Sequence, residues 1–554
     1  MYFKTFATIE QALQEETGVE NVLLGAGGDH ADLTSTVAFA LAKKRKMAPV
    51  AIAEEIAENI RPRLAEAGVE VTTIGPYINF IFGPEYLDTT IIQAIRPGYG
   101  ALPAKDGNVC IEHTSANPNG PLHVGHIRNS VIGDTLARTF RKAGYSLDVQ
   151  YYLNDMGRQI AIVSYGFDHL DIPQNEGEKD DHYVARVYVA ANRAVGEDES
   201  VKAEINRRMG LIEQGDEEMV QKFRACVSMC AEGIKTTLAA LNTPHDRFVW
   251  ESDFVRDGSM QRILSEVSAL PEAIHDGILA VDLTAFGFEK EYVLRRSDGT
   301  SVYASRDLAY HEWKGEHFTR FIDVLGADHK LIGAQLQATM KLMEKQPPEI
   351  VFFEFVSLPE GSMSTRAGKF ISADELIEET IRRAFEEVTS KRPELPEEER
   401  LSIARSVGLG AVRYDIVRVS QDKSTVFDWK LALDFERQSA PYIQYAHARA
   451  CSILEKADEF AVTTGYTTES EIALAKKIAL LPSVIDEVAR DLRPHVLAIY
   501  ARELADLFNG FYHADPVLKS KGAIRDRRLT LVTAAQNTLK ETLETLGINA
   551  IRSM

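Results

Sequence analysis

Hydrophobic and polar positions repeat with two different periods along this chain, and the change from one period to the other marks its divisions. In residues 9–17 and 50–67 apolar side chains return every three or four positions, the spacing of a helix with one buried face. Val69-Glu70-Val71-Thr72-Thr73-Ile74 alternates with a period of two and predicts a strand. Gly75-Pro76 then turns the chain into an aromatic strand, Tyr77-Ile78-Asn79-Phe80-Ile81-Phe82. Arg96-Pro97-Gly98-Tyr99-Gly100 breaks the pattern, so residues 1–104 read as a small α+β domain. A strand over 108–112, read as buried, ends in a polar loop punctuated by Pro118, Gly120 and Pro121. That loop opens into an amphipathic helix over 127–142, and a second buried strand covers 146–153. Strand, helix and strand in this order make a parallel βαβ unit, whose ligands bind at the carboxyl ends of the strands.

Residues 105–164 are therefore the first half of a parallel-sheet fold. Residues 165–268 carry long charged helical stretches, 180–192 and 217–237, and read as a helical insertion. The second half, 269–360, resumes with strands over 277–283 and 292–296 and a hairpin turn at Ser297-Asp298-Gly299-Thr300. Residues 301–310 read as a strand feeding a helix, and a strand over 321–325 ends in Gly326-Ala327-Asp328-His329. Residues 361–430 are a Gly-bounded loop with connecting helices, and 431–554 are helical throughout, the pattern of a bundle.

Composition narrows the function classes. With 554 residues, 45% apolar and 26% charged, the chain has the make-up of a soluble multidomain protein. It has no twenty-residue apolar span and no signal peptide, so a cytoplasmic protein without a membrane partner is expected. A net charge of −20 disfavours broad nucleic-acid affinity but leaves room for local basic patches. Cys226 and Cys230 would share a helical face, yet no second ligand pair accompanies them, so packing rather than a metal site is predicted.

The first strand tip points to phosphate, because a strand-loop-helix aims free N–H groups and a helix dipole at whatever lies above it. His123 and His126 share one helical face, and Gly125 between them leaves room for a flat ring, a combination that suits ATP. His123-Val124-Gly125-His126 resembles the HIGH signature of class I aminoacyl-tRNA synthetases. Its context, from Glu112 through Asn117 and on through Ile127-Arg128-Asn129-Ser130-Val131-Ile132-Gly133-Asp134, is similar to the arginyl-tRNA synthetases in particular. The resemblance runs essentially the full length of the chain. It implies a Rossmann-like catalytic domain, a small N-terminal domain touching tRNA and a C-terminal anticodon-binding bundle. It also implies ATP with Mg2+ and a reaction of L-arginine with tRNA(Arg), in a chain expected to act as a monomer.

Arginine's guanidinium is a planar fork of donors, and opposed carboxylates are its natural partners. Glu112 and Asp307 lie where two strand ends converge, with Tyr303 one helical turn before Asp307 as a wall. The resemblance assigns these three to the guanidinium, Asn117 to the α-amino end and His329 to the amino acid's backbone end. It also places the second class I signature at Ser362-Met363-Ser364-Thr365-Arg366-Ala367-Gly368-Lys369, where Met363 and Ser364 would touch ATP. Both signature lysines are replaced, by Ser362 and Thr365, so Arg366 or Lys369 is left to supply the cation at the phosphates. For tRNA the resemblance implies contacts at Asn79 in the N-terminal domain, and at Tyr442, Tyr445, Arg449, Tyr512 and Met554 in the bundle. Aromatic rings at these positions suit splayed bases, and Arg449 suits a phosphate. Two alternatives stay open: a class I synthetase for another amino acid, and a catalytically inactive tRNA-binding paralogue, which the altered second signature makes thinkable.

Overall fold

The computed structural model describes residues 2–28, 31–297, 301–357, 371–436 and 438–554. At the amino end, β1 (Leu24–Ala26), β2 (Leu33–Ser35), β3 (Val69–Ile74) and β4 (Tyr77–Phe82) form an antiparallel sheet in the order β1-β2-β4-β3. The helices Tyr2–Thr17 and Pro49–Glu66 bring Ile9, Leu13, Ile52 and Ile56 to the same core as Val71, Phe80 and Phe82. Asn79 departs from the expectation of a base contact. Its side chain lies 3% exposed, with Oδ1 accepting from Thr34 Oγ1 at 2.9 Å, so the sheet itself uses the amide. The aromatics on the open side are Tyr77 and Phe39, in edge contact at 5.6 Å.

The catalytic-type sheet begins with β5 (Asn108–Glu112), β6 (Ser146–Leu153) and β7 (Arg247–Trp250). A separate antiparallel sheet follows from β8 (Ala273–Ile274), β9 (Leu279–Val281) and β10 (Tyr292–Arg295), before the main sheet resumes with β11 (Arg320–Gly326) and β12 (Glu349–Phe353). The five main strands are all parallel, in the order β12-β11-β5-β6-β7. The order reverses beside β5, so the crevice above the carboxyl ends of β5 and β11 is the topological switch point at which such sheets bind ligands. Three expectations are corrected here. The stretch 165–268 is not wholly an insertion, because β7 lies within it and pairs with β6. The strands expected over 277–283 and 292–296 belong to the antiparallel side sheet, and of the strand feeding a helix read over 301–310 the helix stands, starting at Tyr303 (Tyr303–His317), without the strand. The hairpin turn expected at 297–300 lies largely outside the described residues.

β13 (Val356–Ser357) pairs in parallel with β14 (Thr425–Val426), and Arg128, buried on the signature helix, donates to the carbonyls of Glu354 and Lys423 at 2.8 Å each. Five helices make the carboxyl bundle: Ala440–Glu455, Glu469–Ala479, Leu481–Asp491, His495–Ala514 and Gly522–Thr545. One buried residue ties the parts together. Arg413 reaches Asp134 Oδ2 on the signature helix at 2.5 Å, Leu241 O at the end of the insertion at 2.7 Å and Leu546 O at the end of the bundle at 2.9 Å. Gly547, at φ +72°, leaves the space that this guanidinium fills; a Cβ there would meet it at 2.1 Å.

Candidate active site

The signature helix, Val124–Lys142, starts on a reciprocal cap built by its two histidines. Nδ1 of His123 accepts from the N–H of Gly125 at 3.1 Å, and Nδ1 of His126 accepts from the N–H of His123 at 3.3 Å. A ring nitrogen that accepts carries no proton, so in each ring the hydrogen sits on Nε2. Burial lowers the proton affinity of both, that of His126 to about 3 with His123 adding to the effect. Stacked at 3.7 Å, they are neutral donors at physiological pH rather than a pair of cations. The chain returns to this point after residue 370: Ala373 N–H donates to Leu122 O at 2.7 Å and Ser372 bridges His123. Met363, Ser364, Arg366 and Lys369 lie outside the described residues.

Glu112 ends β5 almost fully buried. Thr114 and Ser115, at φ +70° and +36°, follow it in a conformation that L-residues rarely adopt, and the bend has a use. It places Ser115 Oγ to donate to Glu112 Oε1 at 2.8 Å while accepting from the N–H of Tyr152 at 3.0 Å. The other carboxylate oxygen accepts from Lys314 Nζ at 2.6 Å, and the same ammonium donates to Asp323 Oδ1 on β11 at 2.7 Å. Asp323 Oδ2 meets His311 Nε2 at 2.7 Å, and His311 Nδ1 lies 3.2 Å from Asp307 Oδ1 and 2.8 Å from the Asp307 carbonyl. Glu112 and Asp307, chosen from distant parts of the sequence, are thus joined by one buried chain of ionic contacts.

Its charges follow from its partners. Lys314 and His311 hold the Asp323 carboxyl well below the ordinary range against burial, while burial pushes Glu112 up. Asp323 and Asp307 raise His311 to about 10 despite its burial. Glu112, His311 and Asp323 offer ligand atoms within 4.8 Å of one another, but the Lys314 ammonium already bridges the two acids.

Around this chain the structure leaves polar atoms without partners among the described residues. Tyr152 Oη, buried on β6 and stacked on Tyr310 at 4.6 Å, and Tyr292 Oη on β10 accept and donate nothing. Tyr152 lies in the field of both Glu112 and Asp307, and Tyr292 in that of Asp307 and Tyr303. Two orphaned hydroxyls beside a carboxylate pair are donors and acceptors still free to meet a polar group. Tyr303, 51% exposed, stands at the mouth beside a 570 Å³ cavity that Asn154, Arg158 and Arg306 also line. Asn117 is exposed on the loop after β5; His329 is exposed after β11, 3.2 Å from Asp328. Asp155, just past the carboxyl end of β6, is a strut: its carboxylate accepts from the N–H and hydroxyl of Ser252, tying β6 to the end of β7.

The bundle residues converge on a second site. Tyr445, Arg449, Tyr512 and Met554 line a 730 Å³ cavity, and Tyr442 joins Tyr445, Arg449 and Met554 around an adjoining one of 670 Å³. Arg449 lies over the rings of Tyr445 at 4.7 Å and Tyr512 at 5.0 Å. Arg392 donates to the Met554 carbonyl at 2.6 Å and holds that residue in the groove. Lys314, His311, Asp323, Tyr152 and Tyr292 were not singled out from sequence. Asp307, His311 and Lys314 stand at i, i+4 and i+7, and a charged stripe on an otherwise buried helix face was the signal available.

Comparison with known proteins agrees with this geometry. Residues 96–429 match the family model for the class I (R) tRNA synthetase catalytic domain, 443–554 that for the DALR anticodon binding domain and 7–82 that for the arginyl tRNA synthetase N terminal domain. The arginine–tRNA ligases of Methanoregula boonei and Methanospirillum hungatei are 62% and 61% identical, each over 100% of both chains. The solved arginyl-tRNA synthetase of Thermus thermophilus superposes with a TM-score of 0.86 at 31% identity over 99% of both chains. With three family models matched along the chain and relatives matched over its full length, the chain belongs to the arginyl-tRNA synthetase family.

Proposed function

We propose that this chain is an arginine–tRNA ligase whose guanidinium clamp is the Glu112–Asp307 pair. ATP enters as its magnesium complex, and the Nε2–H groups of His123 and His126 donate to its phosphates at the helix N-terminus. The arginine carboxylate attacks the α-phosphorus and expels pyrophosphate; the terminal ribose hydroxyl of tRNA(Arg) then attacks the acyl carbon and releases AMP. Asp307 and Glu112 accept from the guanidinium, the Tyr152 and Tyr292 hydroxyls complete its surroundings, and Tyr303 covers it. Asn117 and His329 serve the amino acid's backbone end. Arg366 or Lys369, the cations of the loop after Ser362, replaces the missing signature lysines at the phosphates. Tyr442, Tyr445, Arg449, Tyr512 and Met554 receive splayed anticodon bases, and one chain carries both sites, so it works as a monomer in the cytoplasm.

The observation that carries this reading is the buried ionic chain joining Glu112 to Asp307 beside two orphaned tyrosine hydroxyls. A neutral side chain would strand those charges, and lysine lacks the planar fork that fills two acids at once. The test is ATP–pyrophosphate exchange with tRNA present and each amino acid in turn. Arginine alone is expected to support it; exchange with another amino acid, or tRNA binding with no exchange, overturns the reading. Changing Arg366 and Lys369 together to Ala is expected to reduce the rate, and an undiminished rate removes them from the phosphates.

A further inference from the structure

Lys314 and His311 have no part in binding substrate directly, yet both are buried within the site. His311 is faced on its own helix by Asp307, Lys314 and Tyr310, on β11 by Asp323 and on β5 by Glu112. Its two ring nitrogens both meet groups that can only accept: Nε2 meets the Asp323 carboxylate, and Nδ1 meets the Asp307 carbonyl and carboxylate. A neutral imidazole has one nitrogen that must itself accept, and either tautomer would set that lone pair against another. Both nitrogens therefore need protons.

We infer that His311 is a charge-setting positioning residue: it stays a doubly protonated imidazolium with or without arginine, leaving the pocket one net negative charge to match one guanidinium. The inference rests on the reading of Glu112 and Asp307 as the clamp. Three carboxylates, Glu112, Asp307 and Asp323, face two fixed cations, Lys314 and His311, and a bound guanidinium closes the set at neutrality. Without the imidazolium the pocket would hold an excess anion, and a buried carboxyl would take up a proton to relieve it. Arginine binding would then compete with that proton. His311 thus keeps the clamp ionised and makes arginine recognition independent of pH.

The direct test is nitrogen-15 NMR of the histidine-labelled full chain, with the His311 signals assigned against His311→Gln and His311→Asn. Both ring nitrogens are expected to read as N–H between about pH 6 and about pH 9, with and without saturating arginine. A bare, accepting nitrogen near neutral pH, or one that appears on adding arginine, overturns the inference. The second test compares pH profiles of kcat/KM for arginine. The wild-type profile is expected to be flat from about pH 6 to about pH 8, whereas His311→Gln should lose about tenfold per unit of acidification below the pKa of the newly protonated carboxyl. Parallel profiles overturn it, since a merely structural residue would lower both evenly. If both variants fail to fold, calorimetry of arginine binding to wild-type chain near neutral pH, in buffers of different ionisation enthalpy, decides: no proton exchanged supports the inference and one released refutes it. Failure of the wild-type chain to activate arginine would sink the functional reading, while the nitrogen signature would still report on His311.

Discussion

The crevice above β5 and the groove of the carboxyl bundle are both polar sites, but they are built on opposite principles. At the crevice Glu112 and Asp323 are buried and Asp307 is part-exposed, and each is held by partners, Glu112 by Lys314 and Ser115, Asp323 by Lys314 and His311, and Asp307 by His311. In the groove Tyr445 is 41% exposed and Tyr512 39%, with Arg449 laid across both rings and the hydroxyl of Tyr442 on Asp506 at 2.8 Å. The first arrangement is rigid and rejects ligands by charge count, because an unmatched charge in low dielectric is expensive. The second is open and accepts flat partners by stacking, which discriminates weakly. On the proposed roles, one molecule places its strict selection at the small substrate and a more adaptable surface at the large one.

The largest expected effect tests the strict half. Asp307→Asn removes one charge-assisted partner of the guanidinium and leaves a buried ionic chain unbalanced, so kcat/KM for arginine should fall by about a thousandfold or more. Glu112→Gln should lose as much activity and, because it leaves the fully buried Lys314 with Asp323 as its one carboxylate partner, about 1.5–3 kcal/mol of stability. Thermal unfolding separates the two variants. If both lose activity less than tenfold in pyrophosphate exchange, the crevice does not select by charge and the contrast collapses.

Next comes the joint between the two sites. Arg413 donates to carbonyls at the ends of the insertion and of the last helix while pairing with Asp134 under the signature. Arg413→Met leaves buried Asp134 with Arg138 as its remaining cation and the Leu241 and Leu546 carbonyls unmatched, at a cost of about 3–5 kcal/mol. A drop in Tm below that of Glu112→Gln would show that the joint, rather than the pocket, dominates stability.

These residues also mark what sequence made legible. The strands at β3, β5 and β6 were plain from period and punctuation, and Glu112 and Asp307 emerged from resemblance together with the chemistry of a guanidinium. β7 did not, because four residues between charged helices carry too little periodicity to separate strand from linker. Asn79 misled because a strand shows its two faces equally in sequence, and only the register of β4 against β2 decides which one the sheet consumes. His311 and Lys314 stayed hidden because their partners, Asp323 and Glu112, lie on other elements, and no local pattern reports a contact across a sheet.

The pH response should distinguish the histidines of the signature from that of the clamp. His126, lowered to about 3, and His123, also lowered by burial, bind fewer protons folded than unfolded. Their contribution to stability is present above the unfolded value near ~6.5 and is lost as pH falls toward the folded one. His311, raised to about 10, does the reverse: its contribution is complete below ~6.5 and is lost as pH rises through about 10. Tm measured across this range should therefore fall at both ends, and His311→Gln should flatten only the alkaline side. Loss of the acid side in that variant would place the titrating groups elsewhere.

The smallest effect probes the adaptable half. Tyr445→Ala removes a half-exposed ring and one support of Arg449, so tRNA(Arg) affinity should fall by about 1–3 kcal/mol, as expected for one stacked base. Tyr442→Phe keeps the ring and loses only the hydrogen bond to Asp506, worth about 1 kcal/mol where part-buried, and should move affinity less than Tyr445→Ala does. Filter binding at two salt concentrations refines the reading. Stacking is insensitive to salt, so the Tyr445 loss should persist at higher ionic strength, whereas the loss from Arg449→Ala should vary with it because a phosphate contact releases counterions. A Tyr445 loss that vanished with added salt would mean that the ring serves only to aim Arg449, and the groove would then select by charge as the crevice does.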